Sequence, residues 1–206
     1  MGVPARGGRH PLPSLQAWCA TLGRFGISPQ SVVRIFDDAG GGLFAARAWW
    51  MLRAVGHENV QVIAQEEVVE AWVSARSEAR PCADYPASQW TLPTLSIDEV
   101  KLRAQDPEWR LLDARAAARF RGDVEHLDPV AGHIPGALSM PWQQHRDLDL
   151  ARESFASLLG ETPSTRSIVS CGSGVTACFL ALQMHRLELG MPTLYVGSWS
   201  EWCRQP

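Results

Sequence analysis

A chain of 206 residues, 46% hydrophobic and 20% charged, has the proportions of a globular protein long enough to bury a sizeable core. Its formal charge of −3 argues against nucleic acid or an anionic membrane as partner. No apolar stretch approaches the length of a membrane span and residues 1–8 lack the apolar centre of a secretory signal, so a cytoplasmic location is expected.

In chain order the hydrophobic periodicity alternates strands and helices. After a polar, proline-rich start, Leu15 to Leu22 is expected as a helix, Val32 to Phe36 as a strand, Phe44 to Val55 as a helix stopped by Gly56, Val60 to Ile63 as a strand and Glu66 to Ala75 as a helix. Prolines at 81, 86 and 93 break any regular element and suggest a linker. Ser96 with Glu99 three residues on predicts a capped helix that opens a second domain. A strand from Trp109 to Ala114, the Gly132 to Pro141 segment, a helix near Glu153 to Leu159, a strand Ser167 to Ser170, a helix Ala177 to Leu189 and a strand Thr193 to Val196 complete an α/β order. The tryptophans are expected in core or interface positions, Trp49, Trp50 and Trp72 in the first part, Trp199 and Trp202 bracing the C-terminal turn.

The stretch Val169-Ser170-Cys171-Gly172-Ser173-Gly174-Val175-Thr176 carries the chemistry. A cysteine at the end of a buried strand, followed by a glycine turn and the start of a helix, lies where backbone N–H groups and the helix macrodipole converge. Such a cradle favours the thiolate and makes the sulfur a nucleophile. Most free cysteines are simply small buried hydrophobes, and Cys19, Cys82, Cys178 and Cys203 fit that role or surface exposure. Five scattered cysteines without a Cys-x-x-Cys pair argue against a disulfide framework or a zinc site. A reducing compartment suits a working thiolate.

The loop Cys171-Gly172-Ser173-Gly174-Val175-Thr176 resembles the active-site loop of the 3-mercaptopyruvate sulfurtransferases, the branch of the rhodanese family with a neutral Cys-Gly-Ser-Gly loop. Leu111 to Arg115, Arg119 to Gly122, Gly132 to Ala137 and Gly197 to Trp202 agree in order, and Gly8 to Pro13, Phe36 to Gly41, Arg47, Trp49 and Trp50 extend the resemblance upstream. It implies a rhodanese-like fold, an open parallel sheet with helices on both faces. Members of the branch carry an inactive domain before a catalytic one, and 206 residues are too few for two. Residues 1–80 are therefore expected to be a partial, less stable domain, 81–95 a linker and 96–206 the catalytic domain. The Ala64 to Glu67 stretch departs from the Leu-Asp-Gly-Gly turn usual there.

The resemblance further implies Cys171 as nucleophile, Ser173 as proton relay, and Arg119, Gly172, Gly174, Val175, Thr176 and His10 around the substrate, Arg119 holding a carboxylate. His10 corresponds to a histidine that reaches the active site from the first domain. Asp128 stands where the branch often has a second arginine, and an acid beside an anionic substrate is expected to weaken binding. Asp113 with Arg115, and His133, read as structural. A cysteine phosphatase would need an arginine six positions after the nucleophile, where Ala177 stands, and a thiosulfate-preferring rhodanese would need basic residues where Gly172 and Ser173 are neutral. The expected activity is transfer of sulfur from 3-mercaptopyruvate, or thiosulfate, through a Cys171 persulfide to cyanide or a thiol such as thioredoxin or a low-molecular-weight thiol, with no cofactor or metal. A monomer or weak homodimer is expected. The alternative is a truncated, weakly active or inactive relative that serves as a sulfur carrier or interaction module.

Overall fold

A computed structural model describes residues 7–63 and 80–205. By their contacts they divide into two units, one from Pro13 to Leu92 and one joining the residues up to Leu12 with those from Pro93 onward. This division departs from the expected boundaries twice. Residues 7–12 group with the C-terminal part, and residues 81–92 group with the first unit.

In the Pro13–Leu92 unit, helix α1 (Leu15–Arg24) starts where the Ser14 hydroxyl accepts the Ala17 N–H, which satisfies one of the donors a helix start leaves open. Strand β1 (Val33–Ile35) pairs in parallel with β2 (Val60–Val62), Val33 opposite Val60. Between them helix α2 (Phe44–Arg53) buries Ala45, Ala46, Trp49, Trp50 and Leu52. The chain is turned into α2 by Asp37, whose carboxylate accepts N–H groups from Ala39, Gly41, Leu43 and Ala45 at 2.6–3.1 Å. Burial pushes this carboxyl up, and the four backbone donors outweigh it, holding Asp37 below the usual range. The proline-rich stretch is no free tether. Cys82 N–H donates to Gly23 O, Tyr85 N–H to Cys19 O and Thr91 N–H to Ala54 O, and the buried Tyr85 hydroxyl lies 3.1 Å from His57 Nδ1. The helix expected at Glu66 to Ala75, with Trp72, and the Ala64 to Glu67 turn lie outside the described residues.

The second unit opens on α3 (Ile97–Arg103), capped as its sequence demands: Ser96 accepts the Glu99 N–H and the Glu99 carboxylate accepts the Ser96 N–H. Strands β3 (Arg110–Asp113), β4 (Ala137–Ser139), β5 (Ser167–Ser170) and β6 (Thr193–Leu194) form one parallel sheet in the order β4-β3-β5-β6. Leu111, Leu112, Ile168 and Val169 are buried, the continuous apolar runs of a parallel sheet's central strands. The crossovers carry α4 (Ala117–Arg121), α5 (Leu148–Leu159) and α6 (Ala177–Arg186), and α7 (Ser198–Trp202) follows β6. Helix α5 begins at Leu148, earlier than the apolar pattern near Glu153 implies, because Asp147 accepts the N–H groups of Asp149 and Leu150. Helix α6 stops at Arg186 rather than Leu189, with Glu188 turned to a positive φ of 57°. Among the described residues no helix is long and apolar enough to cross a membrane.

The strand order puts β5 inside the sheet, between β3 and β6, and its C-terminal end delivers Cys171. Ligands of open α/β sheets bind beyond the carboxyl ends of the strands, and the sequence's most reactive residue type stands there.

Candidate active site

Cys171 follows the last residue of β5 and is buried. Its Sγ accepts the Gly174 N–H at 3.1 Å, so the hydrogen bond to sulfur comes from the glycine turn. Gly174 has φ 77°, and an added Cβ would run into the Val196 carbonyl. Only glycine meets both demands there. Cys178 donates its own thiol to Gly174 O at 3.4 Å, a packing role as expected. Val175 O accepts the Cys178 N–H. Thr176 sits at the start of α6 without a capping bond from its side chain, so it does not brace the loop that way.

The back of the loop is tied to α7. Trp199 N–H donates to Cys171 O and Ser200 N–H to Gly172 O, each at 2.9 Å. The Cys171 N–H in turn donates to Ser198 Oγ at 3.1 Å. Ser198 holds φ 52°, a conformation costly for a residue with a side chain, and its hydroxyl donates to Tyr195 O at 2.8 Å.

Ser173 is buried and its Oγ lies 2.8 Å from His10 Nδ1, so the serine and histidine singled out 163 residues apart are in hydrogen-bond contact. The segment bearing His10 is anchored by Gly7 N–H to Glu201 Oε1 at 2.9 Å and Arg9 N–H to Ser200 Oγ at 3.0 Å.

Arg119, on α4, reaches the loop. A Cβ added at Gly172 would stand 3.2 Å from Arg119 Nη1 and 3.2 Å from Arg9 Nη2. The other side of the Arg119 guanidinium grips Glu125, with Nη2 to Oε1 at 2.8 Å and Nε to Oε2 at 3.2 Å. Burial pushes the Glu125 carboxyl up, but hydrogen bonds from Arg119 and from the Leu127 and Asp128 N–H groups hold it below its usual range.

Asp128, expected as an acid beside an anionic substrate, is paired with Arg9, with Arg204 at 3.2 Å and with Arg119 at 3.5 Å. Arg9 and Arg204 were not legible as site residues. The one signal was that Arg9 precedes His10 in a segment already matched. The Asp113–Arg115 pair is structural as read: both are buried, with Nη2 to Oδ2 at 2.7 Å, and Arg115 also donates to Gly132 O and lies over the Trp199 ring. His133 stacks on Phe120 and contacts its carbonyl.

A buried cysteine sulfur held by a backbone N–H, at the C-terminal end of an inner parallel strand and the start of a helix, with guanidiniums over the neighbouring glycine, is an arrangement chemically suited to a nucleophilic cysteine and an anionic ligand. The rhodanese-like domain model matches residues 96–205. The chain is 39% identical to the Pseudomonas aeruginosa protein named "Probable 3-mercaptopyruvate sulfurtransferase", over 97% of this chain and 74% of that protein. It is 32% identical to the 3-mercaptopyruvate sulfurtransferase of Escherichia coli K12, over 94% of this chain and 72% of that one. The solved 3-mercaptopyruvate sulfurtransferase from Leishmania major superposes with a TM-score of 0.80 at 28% identity, covering 98% of this chain and 59% of that one. The SseA structure from E. coli gives 0.69 at 30% identity, covering 92% and 75%. The chain belongs to the rhodanese family of sulfurtransferases.

Proposed function

We propose that the chain moves sulfur from 3-mercaptopyruvate to a thiol through a persulfide on Cys171. The Cys171 thiolate attacks the substrate sulfur, the carbon–sulfur bond breaks, and its electron pair leaves on pyruvate as the enolate. A proton delivered through Ser173 and His10 converts the enolate to pyruvate. A second thiolate then takes the outer sulfur and returns Cys171 to its starting form. Thioredoxin or a low-molecular-weight thiol fits this step, and cyanide serves in the test tube. Arg119 orients the substrate carboxylate, and the Gly174 N–H stabilises negative charge on sulfur.

The observation that carries this reading is the juxtaposition of the Gly174 N–H on Cys171 Sγ with guanidinium nitrogens over Gly172, the residue next to the cysteine. The neutral Gly172-Ser173 pair favours 3-mercaptopyruvate over thiosulfate, whose second charge needs more cations beside the sulfur. Intact mass after incubation with 3-mercaptopyruvate tests it. One added sulfur is expected on the wild type and none on Cys171→Ser; a wild type that takes up no sulfur, or a serine variant that turns over, rules it out. A higher kcat/KM for thiosulfate than for 3-mercaptopyruvate would overturn the donor assignment.

A further inference from the structure

We propose that Arg9 is a second carboxylate-binding residue of this site and that buried Asp128 is the positioning residue that holds it there. The inference rests on the sulfur-transfer reading and adds to it a specificity-determining side chain from the first ten residues.

The geometry is symmetrical about Gly172. Arg119 spends Nη2 on Glu125 and turns Nη1 toward the glycine; Arg9 spends Nη1 on Asp128 and turns Nη2 toward it. Both nitrogens stand 3.2 Å from the point where a side chain would begin, so two forks converge on the glycine that follows the cysteine. Arg9 is held there from both ends, its N–H on Ser200 Oγ and its guanidinium on Asp128. Gly8, just before it, has φ 73° and packs where a Cβ would strike the Gly197 carbonyl and the Ser200 hydroxyl, which fixes the backbone feeding the arginine in.

Exposure sorts the charges. The side chains of Arg9 and Arg119 are 23% and 21% exposed, those of Asp128 and Glu125 0% and 4%. An arriving anion therefore meets cations, with the acids behind them. Arg9, Arg119 and Arg204 against Asp128 and Glu125 leave the cluster with net positive charge. A planar carboxylate can take one fork on each oxygen, the geometry in which arginine binds best. An acid at position 128 thus serves the binding of an anion by fixing a cation that lies 119 residues away in sequence.

The test is Arg9→Gln, Asp128→Asn and the two combined. Arg9→Gln is expected to raise KM for 3-mercaptopyruvate about ten- to a hundredfold, the range of one charge-assisted hydrogen bond, with kcat changed far less and the KM of the acceptor thiol unmoved. Asp128→Asn, which releases the guanidinium, is expected to raise KM in the same direction, and the two changes together little more than Arg9→Gln alone, a non-additivity in KM that a merely structural role for either residue does not predict. Calorimetric binding of pyruvate separates this claim from the reading beneath it. Pyruvate binding weakened in Arg9→Gln supports the clamp even if no persulfide forms. Persulfide formation with KM and pyruvate affinity within twofold of wild type in Arg9→Gln overturns the clamp and leaves sulfur transfer standing. Absence of both binding and persulfide in the wild type overturns both. A melting temperature for Arg9→Gln near that of the wild type shows that the variant is folded.

Discussion

Removing the Asp113 carboxylate is expected to unsettle the catalytic loop from below. Asp113 and Arg115 side chains are each 1% exposed, and Asp113 accepts three hydrogen bonds from the guanidinium, at 3.1, 3.0 and 2.7 Å, and one from the Arg115 N–H at 2.9 Å. Asp113→Ala leaves a buried guanidinium without its main counter-charge, a change that costs about 3–5 kcal/mol. Glu125, 3.8 Å from Arg115 Nη1, offsets part of this and sets the expectation near the lower end. For a chain of this size ~3 kcal/mol lowers the melting temperature by roughly 10 °C. The loss reaches Cys171 because Arg115 lies over the Trp199 ring, 5.0 Å from its centre, and the Trp199 backbone N–H holds the Cys171 carbonyl. Calorimetric melting gives the stability and single-turnover persulfide formation the rate, and both should fall. Asp113→Leu with Arg115→Met, which removes both charges, should recover most of the stability. If Asp113→Ala melts within 2 °C of wild type, or if its deficit vanishes in high salt as a surface pair's would, the reasoning is wrong.

Gly174→Ala should abolish sulfur uptake while the protein stays folded, because the left-handed turn and the Val196 carbonyl leave no room for a methyl group; intact mass and a circular dichroism spectrum check both halves. Cys178→Ser should keep most of the activity, since a hydroxyl can still donate to Gly174 O, at a stability cost of ~1 kcal/mol for burying a more polar group, measured by urea unfolding. His57 is buried, and burial drives its pKa below 6.5, a tendency that hydrogen bonds with the Asn59 and Ser31 backbone oppose. A depressed histidine stabilises the fold above its unfolded value and loses that contribution as pH falls from 6.5 through the folded value. Urea midpoints of the Pro13–Leu92 unit should therefore drop across that window, and His57→Gln should flatten the drop.

What could be read locally was read well. The Ser96–Glu99 box, the Ser167 to Ser170 strand and the Cys171 loop are each encoded within a few consecutive residues, so propensity and spacing suffice. The five-residue helices Ala117–Arg121 and Ser198–Trp202 left no signal because neither spans two full periods of an amphipathic pattern. Residues 81–92 read as a linker because prolines forbid regular structure, yet backbone donors such as Thr91 still find carbonyls on the helical core of their unit. The pairing of Asp128 is hidden for a different reason. A charge takes its meaning from its neighbours, and the partners of this one are at positions 9, 119 and 204, beyond the reach of any window on the sequence.

The same distances set an order of events during synthesis. The loop around Cys171 is fastened by Trp199 and Ser200, and the arm bearing Arg9 and His10 is hooked to Ser200 and Glu201 across 191 and 194 residues. The sheet can assemble once β6 has left the ribosome, but the backbone ties of the arm and of the loop wait for residues 199–201. Contacts this far apart in the chain form late. Arg9, Arg119 and Cys171 are thus all synthesised before the residues that fasten the arm and the loop, and their arrangement is completed only by the helix Ser198–Trp202.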